Sequence, residues 1–197
     1  MTVDQSKVFL EDRSTGRLVR ATLFDAILDR HLDDVEQLWE GFPVVGPQEH
    51  GHWDWRGKTT HYAGSLSHDA FALECNGQAQ GLMIVSTIKR CRLQQQSSQH
   101  LVYIEYLQTA PWNRRVVARR PSYRGVGTVL VAAAIQRSVE EGYGGRIGLH
   151  SLPQANRFYG DKCGMTDLGP DAEYPNAPLR YFEMTEQQAQ AFMGEGR

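Results

Sequence analysis

The stretch Tyr123-Arg124-Gly125-Val126-Gly127-Thr128-Val129 decides how the second half of this chain reads. Its two glycines stand directly before a helical pattern running from Thr128 to about Glu141. There Val131, Ile135 and Val139 recur every fourth residue with small alanines between them, and Gly142 offers a C-cap. A helix start exposes backbone N–H groups and a partial positive charge, and glycines before it let the backbone approach a ligand without Cβ interference. Arg114, Arg115, Arg119, Arg120 and Arg124 crowd the approach. That local charge suits a multiply phosphorylated ligand, while a plain glycine turn with a solvated basic loop fits the same residues. Two other nucleotide motifs fail. The P-loop pattern is absent, and the dinucleotide fingerprint has Leu130 where its third glycine belongs, with a polar, arginine-rich stretch before the turn in place of a strand.

Outward from this turn, strand-like and helical patterns alternate. Phe71–Cys75 and Gly81–Ile88 are strand-like runs joined at Asn76-Gly77, a pair that tolerates positive φ and marks a hairpin. Lys89–Gln99 is a polar loop and Leu101–Leu107 alternates as a strand. Further on, Arg146–His150 reads as a strand, Gln154–Tyr159 as a short helix and Leu179–Met184 as the last strand. Near the start, Val8–Leu10 and Leu18–Thr22 read as a strand pair. Leu23 to Trp39 carries Ile27, Leu28, Leu32, Val35 and Leu38 near helical spacing, with the carboxylates and His31 on the wet face. Gly41–Thr60 accommodates a short helix or a lid-like loop. The alternation predicts an α/β or α+β sheet domain.

Bulk properties narrow the partners. A chain of 197 residues with 41% hydrophobic and 22% charged content can bury a core as one soluble domain. A net charge of −2 argues against general nucleic-acid binding. Cys75, Cys91 and Cys163 form no CxxC pair, which fits a reduced, cytoplasmic protein better than a disulfide scaffold or zinc module. Met1–Lys7 is polar, without the apolar core of a signal peptide, and no apolar run reaches membrane-spanning length, so no membrane association is expected.

Arg124-Gly125-Val126-Gly127 resembles the opening of [QR]-x-x-G-x-[GA], the signature of the GNAT (N-acetyltransferase) superfamily; Val129 stands at the last position in place of Gly or Ala. Ala155, Tyr159 and Gly164-Met165 are similar to the alanine, tyrosine and Gly-Phe of the family's late segment N-x-[RK]-A-x-x-x-Y-x-K-x-G-F. One extra residue separates Tyr159 from Gly164, and Ser151 or Leu152 lies near the place of the asparagine. The two motifs span roughly residues 101–184.

The resemblance implies one GNAT-like domain over residues 1–197, with a mixed, mostly antiparallel central sheet flanked by helices. Residues 1–69 would hold the first strand, helices and a possible lid, 70–184 the hairpin and CoA-binding core, and 185–197 a tail. It also implies acetyl-CoA as co-substrate and no metal. The pyrophosphate would lie on Arg124, Gly125, Val126, Gly127 and Thr128 with Arg119 nearby, and the pantetheine arm along Leu107, Gln108 and Thr109; Val116–Arg119 is an alternative strand end.

An amine attacking the acetyl thioester needs a base, and the leaving thiolate benefits from a proton donor. Glu105 is the candidate base, or else a carboxylate on the wet face of a sheet; Tyr159 is the candidate donor, or else a core tyrosine. Trp112, Asn113 and Trp55 are candidates for the acceptor site, with core or lid packing as the alternative. His150 reads as structural, and His50, His52, His61 and His68 lack metal-site spacing. The expected partner is a small-molecule or peptide amine, with a lean toward a cationic small amine from the mild acidity, and a homodimer fits the family's habit. A GNAT-like module that binds CoA or a partner without catalysis is the other reading, favoured by Val129 and the missing asparagine.

Overall fold

Asn76 and Gly77 take φ of 53° and 74°, the left-handed pair that a two-residue hairpin turn requires. The turn joins β3 (His68–Cys75) to β4 (Gln78–Arg90). The structure, a computed structural model, describes residues 3–43, 53–114, 121–174 and 179–195. Before this hairpin come β1 (Gln5–Asp12), β2 (Leu18–Phe24), α1 (Asp29–Asp34) with a π-helical turn over Val35–Trp39, and α2 (Trp55–Tyr62). After it come β5 (His100–Thr109), β6 (Tyr123–Arg124), α3 (Val126–Glu140), β7 (Ile147–Ser151), β8 (Thr166–Pro170), β9 (Arg180–Met184) and α4 (Glu186–Glu195).

The strands form a mixed, mostly antiparallel sheet in the order β6-β1-β2-β3-β4-β5-β7-β9-β8, flanked by helices. β5 and β7 pair in parallel, with Val102 opposite Ile147 and Ile104 opposite Leu149. The chain divides into two compact units, residues 1–84 with 106–130 and residues 85–105 with 131–197; β4, β5 and α3 each contribute to both. The first unit's core gathers Phe24, Ile27, Leu32, Val35, Trp39 and Trp55 against Ala72, Leu82, Ile84 and Ala110. In the second, Cys91, Leu101, Tyr103 and Tyr181 pack together. All three cysteines are buried free thiols.

Several local expectations are corrected. The first helix starts at Asp29 because Leu23 and Phe24 extend β2 opposite Ser6 and Gln5. His31 is fully buried, not on a wet face: its Nδ1 accepts from Leu28 N–H at 3.1 Å, its Nε2 lies 3.3 Å from Glu74, and its ring packs on Phe24. The carboxylates do stay outside, where Arg56 gathers Asp29, Asp33 and Glu36. A short strand does precede the glycine turn, since Tyr123 and Arg124 pair with Asp12 and Glu11. Val131 and Ile135 are buried, but Val139, one turn further, is 51% exposed. The segment expected as a helix over 154–159 is a 3₁₀ turn at Pro153–Ala155 followed by a π-helical turn at Phe158–Lys162. The C-terminal tail contains α4.

Candidate active site

The glycine turn enters α3 as a ligand cradle would. Gly125 takes φ of 101°, where a side chain would strain the backbone. The first i→i−4 bond runs from Val129 N–H to Gly125 C=O at 2.9 Å. The amides of Val126, Gly127 and Thr128 therefore have no carbonyl within their own helix, and α3 is long enough at 15 residues to carry a dipole. Together these features fit a pyrophosphate. Arg124 is exposed and lies 3.6 Å from Glu11, so its charge is only loosely matched. Arg114 is half-buried, and burial brings its guanidinium down to about 10, still charged at neutral pH. Arg119 lies outside the described residues, as do Arg115, Arg120, His50 and His52.

What holds α3 close is Gly81 in β4. A Cβ there would stand 2.8 Å from Leu130 Cδ1, 2.8 Å from Val126 Cγ1 and 3.4 Å from the Gln108 carbonyl oxygen. Only glycine lets the first turn of α3 approach this closely.

Leu107, Gln108 and Thr109 end β5, beyond the Val102–Ile104 ladder with β7. Gln108 is buried, and its side-chain carbonyl accepts from the indole N–H of Trp55, itself 2% exposed. Trp55 is thus a fixed core residue beside the strand end. Trp112 and Asn113 sit in a 3₁₀ turn and are braced by one atom: Gln80 Oε1 accepts from Trp112 Nε1 and from Asn113 Nδ2, both at 2.9 Å. Asn113 Oδ1 in turn accepts from Tyr123 N–H at 2.9 Å. These bonds tie the start of β6, and so the glycine turn, to β4. Gln80 is the residue sequence reasoning missed here, because nothing local marks a buried glutamine as a brace.

The second unit carries Glu105 and Tyr159, the candidate base and the candidate donor. Glu105 is half-buried, and burial pushes its carboxyl above the usual range against the opposing influence of Lys89. Tyr103, on the same face of β5, bonds His150 Nδ1, and His150 Nε2 lies 2.6 Å from Asp171. Arg92 pairs with Asp171 and stacks its guanidinium 4.3 Å from the Tyr181 ring. A backbone bond from Glu173 and the contacts to His150 and Arg92 hold the Asp171 carboxyl far below its ordinary value. Burial holds His150 below its ordinary value, so the ring is neutral at pH 7 with Asp171 orienting it. Tyr103, Asp171 and Arg92 were not singled out from sequence, since their contacts with His150 and each other join residues far apart in the chain.

Tyr159 lies in the π-helical turn, its ring tilted against Phe182 at 6.1 Å and edge to face with Phe158 at 5.1 Å. Burial raises its phenol, which therefore stays protonated. Glu183, fully buried, accepts from Arg92 N–H at 2.6 Å, Leu93 N–H at 3.0 Å, Gln96 Nε2 at 2.8 Å and Tyr181 O–H at 3.1 Å. A carboxylate with four donors is a structural anchor. Among the described residues no cluster of three or more His, Cys, Asp or Glu is arranged to hold a metal, and no helix is long and apolar enough to cross a membrane.

No protein-family model and no curated protein matches the chain. Solved structures do. The GNAT domain of S. lividans PAT superposes with a TM-score of 0.59 at 12% identity, covering 91% of this chain and 96% of that one. FeeM, an N-acyl amino acid synthase from uncultured soil microbes, gives 0.55 at 13% identity over the whole of both chains. Mycobacterium smegmatis RimJ, solved in complex with CoA-disulfide, gives 0.51 at 15% identity, covering 100% and 98%. At such identities the likeness shows the fold.

Proposed function

We propose that this chain, whose fold is that of the GNAT acyltransferases, transfers an acetyl or short acyl group from acyl-CoA to an amine. One observation carries the reading: a glycine at positive φ opens directly into α3, whose first three amides lack helix carbonyls, at the position of the Arg124–Gly127 motif. The pyrophosphate of CoA sits on the amides of Val126, Gly127 and Thr128, with Arg124 and Arg119 supplying positive charge. The pantetheine arm follows Leu107, Gln108 and Thr109, adding to the strand edge as an extended segment does.

In the reaction Glu105 takes a proton from the acceptor ammonium, directly or through water. The freed nitrogen lone pair forms the N–C bond at the acyl carbonyl, and the tetrahedral intermediate collapses by breaking the C–S bond. Tyr159 donates its hydrogen bond to the departing sulfur. CoA leaves as the thiol: the nitrogen gives up a second proton as the intermediate collapses, matching the one that Tyr159 delivers to sulfur and restoring its phenol, while the proton taken by Glu105 passes to solvent. The raised carboxyl of Glu105 and the protonated phenol of Tyr159 suit these roles. Trp112 and Asn113 border the acceptor.

Thiol release from acetyl-CoA, followed with a disulfide dye across a panel of primary amines, tests the proposal. Turnover that drops on the order of 10²-fold in Tyr159→Phe, with CoA affinity retained, supports the donor role. No turnover with any amine, despite CoA binding, would leave a CoA-binding module in place of an enzyme.

A further inference from the structure

Lys58 of α2 stands in a box of aromatic rings. Its Nζ is 3.8 Å from the ring centroid of Tyr106 and 5.7 Å from that of Trp53. Those two rings meet edge to face at 5.2 Å. Trp55 backs both, 6.3 Å from Trp53 and 6.5 Å from Tyr106, and Tyr62 lies 6.5 Å from Tyr106. Trp53 and Tyr106 are half-buried, so solvent reaches them, while Trp55 forms a fixed wall. The negative faces of such rings attract a cation. Among the described residues no carboxylate forms an ion pair with Lys58, whereas Arg56, two residues earlier, holds three. The ammonium is kept in place by rings, which serve any other ammonium equally well.

The box also borders the strand assigned to the acyl donor. The indole N–H of Trp55 donates to the side chain of Gln108, and Gln108 follows Tyr106 by two residues, on the same face of β5. A cation seated on Tyr106 is therefore next to the Leu107–Thr109 segment.

We propose that this box anchors a cationic group of the acyl acceptor, with Lys58 as its resident occupant until the acceptor displaces it. Ring faces favour the ammonium over the neutral amine, so a nitrogen held in the box is not the one that attacks. The acceptor accordingly carries at least two basic nitrogens, one seated on Trp53 and Tyr106 and the other free to lose its proton. Alkyl diamines and longer relatives have this chemistry. The second nitrogen rests on the acyltransferase reading above; the box itself does not.

The test for the box uses n-butylammonium as probe and 1-butanol as its neutral counterpart, followed by saturation-transfer NMR and calorimetry without CoA. Because a resident occupant weakens apparent affinity in proportion to the time it fills the site, Lys58→Ala should bind n-butylammonium about tenfold more tightly than the parent chain. Lys58→Gln should do the same, and Tyr106→Leu should lose the binding; melting curves verify that each variant folds. Butanol should gain nothing from either Lys58 variant. Equal affinity in the parent chain and both Lys58 variants, or butanol binding as well as butylammonium, overturns the box. With acetyl-CoA present, 1,4-diaminobutane should show a lower KM than n-butylamine, a difference that Tyr106→Leu removes; equal KM values for the two amines overturn the two-nitrogen claim. A chain that binds CoA but no butylammonium refutes the box alone, and one that binds butylammonium but no CoA refutes the acyltransferase reading alone.

Discussion

Replacing Gly81 with alanine should loosen the pyrophosphate cradle without touching it. The added Cβ would meet Leu130 Cδ1 and Val126 Cγ1 at 2.8 Å each. Carbon atoms prefer about 3.5–4.0 Å, so relief needs a movement of about 1 Å. Leu130 can swing its methyl aside, but Val126 is β-branched and has few alternatives, so the first turn of α3 must shift. Overpacking of this kind costs about 1–3 kcal/mol. For a chain of this length that corresponds to a fall in Tm of about 2–12 °C. The amides of Val126, Gly127 and Thr128 shift with the turn. Loss of one hydrogen bond to a charged phosphate, worth about 1.5–3 kcal/mol, would weaken CoA binding by about 10–150-fold. Differential scanning fluorimetry and calorimetric titration of CoA read the two effects. In Gly81→Ala/Val126→Ala the obstructing methyl is gone while the amide remains, so affinity should recover. An unchanged Tm and affinity in Gly81→Ala, or a double variant as weak as the single, would show that Gly81 does not set the position of the turn.

Two further outcomes follow from the same packing. Gln80→Met leaves the donors of Trp112 and Asn113 without their shared acceptor, which should cost about 1–3 kcal/mol in chemical denaturation, since both residues are half-buried and water can replace part of the loss; a variant as stable as the parent would show that Gln80 braces nothing. Burial holds both His31 and His150 below the ordinary histidine value. The unfolded chain then binds more protons, so the stability these groups contribute is whole above about pH 6.5 and is lost as pH falls toward their folded values. Melting temperature should be flat from pH 8 to 7 and decline below 6.5, and His31→Gln/His150→Gln should flatten the decline; a parent curve level down to pH 5 contradicts it.

What the sequence discloses is what local chemistry determines. The Asn76-Gly77 hairpin, the β1–β2 pair and the start of α3 all rest on signals within a few residues, and all are present. The π-helical turns at Val35–Trp39 and Phe158–Lys162 have no 3.6-residue signature to betray them. β8 carries Gly169 and Pro170, which speak against a strand, yet it lies at the sheet edge where proline is tolerated. α4 is half glutamine and glutamate and its larger apolar residues, Phe192 and Met193, are adjacent instead of spaced along one helical face, so its pattern resembles a tail.

The candidate site divides in the same way. The glycine turn was legible because helix-start chemistry is local. By contrast, the brace at Gln80, the Tyr103–His150–Asp171 chain and the ring box around Lys58 are made by contacts between distant residues, and so is the burial of His31 beside Glu74. Trp55, a candidate for the acceptor site from sequence, stands beside the strand end as a core residue bonded to Gln108.

Calorimetric titration with acetyl-CoA, with ATP and NAD as controls, asks whether the first turn of α3 holds the pyrophosphate of CoA. Saturable binding of acetyl-CoA is expected, absent for ATP and NAD and weakened at least about tenfold in Gly127→Glu, where bulk and negative charge meet the phosphates. Binding of equal strength in Gly127→Glu, or none in the parent chain, would contradict it and remove the basis for the roles given to Glu105 and Tyr159.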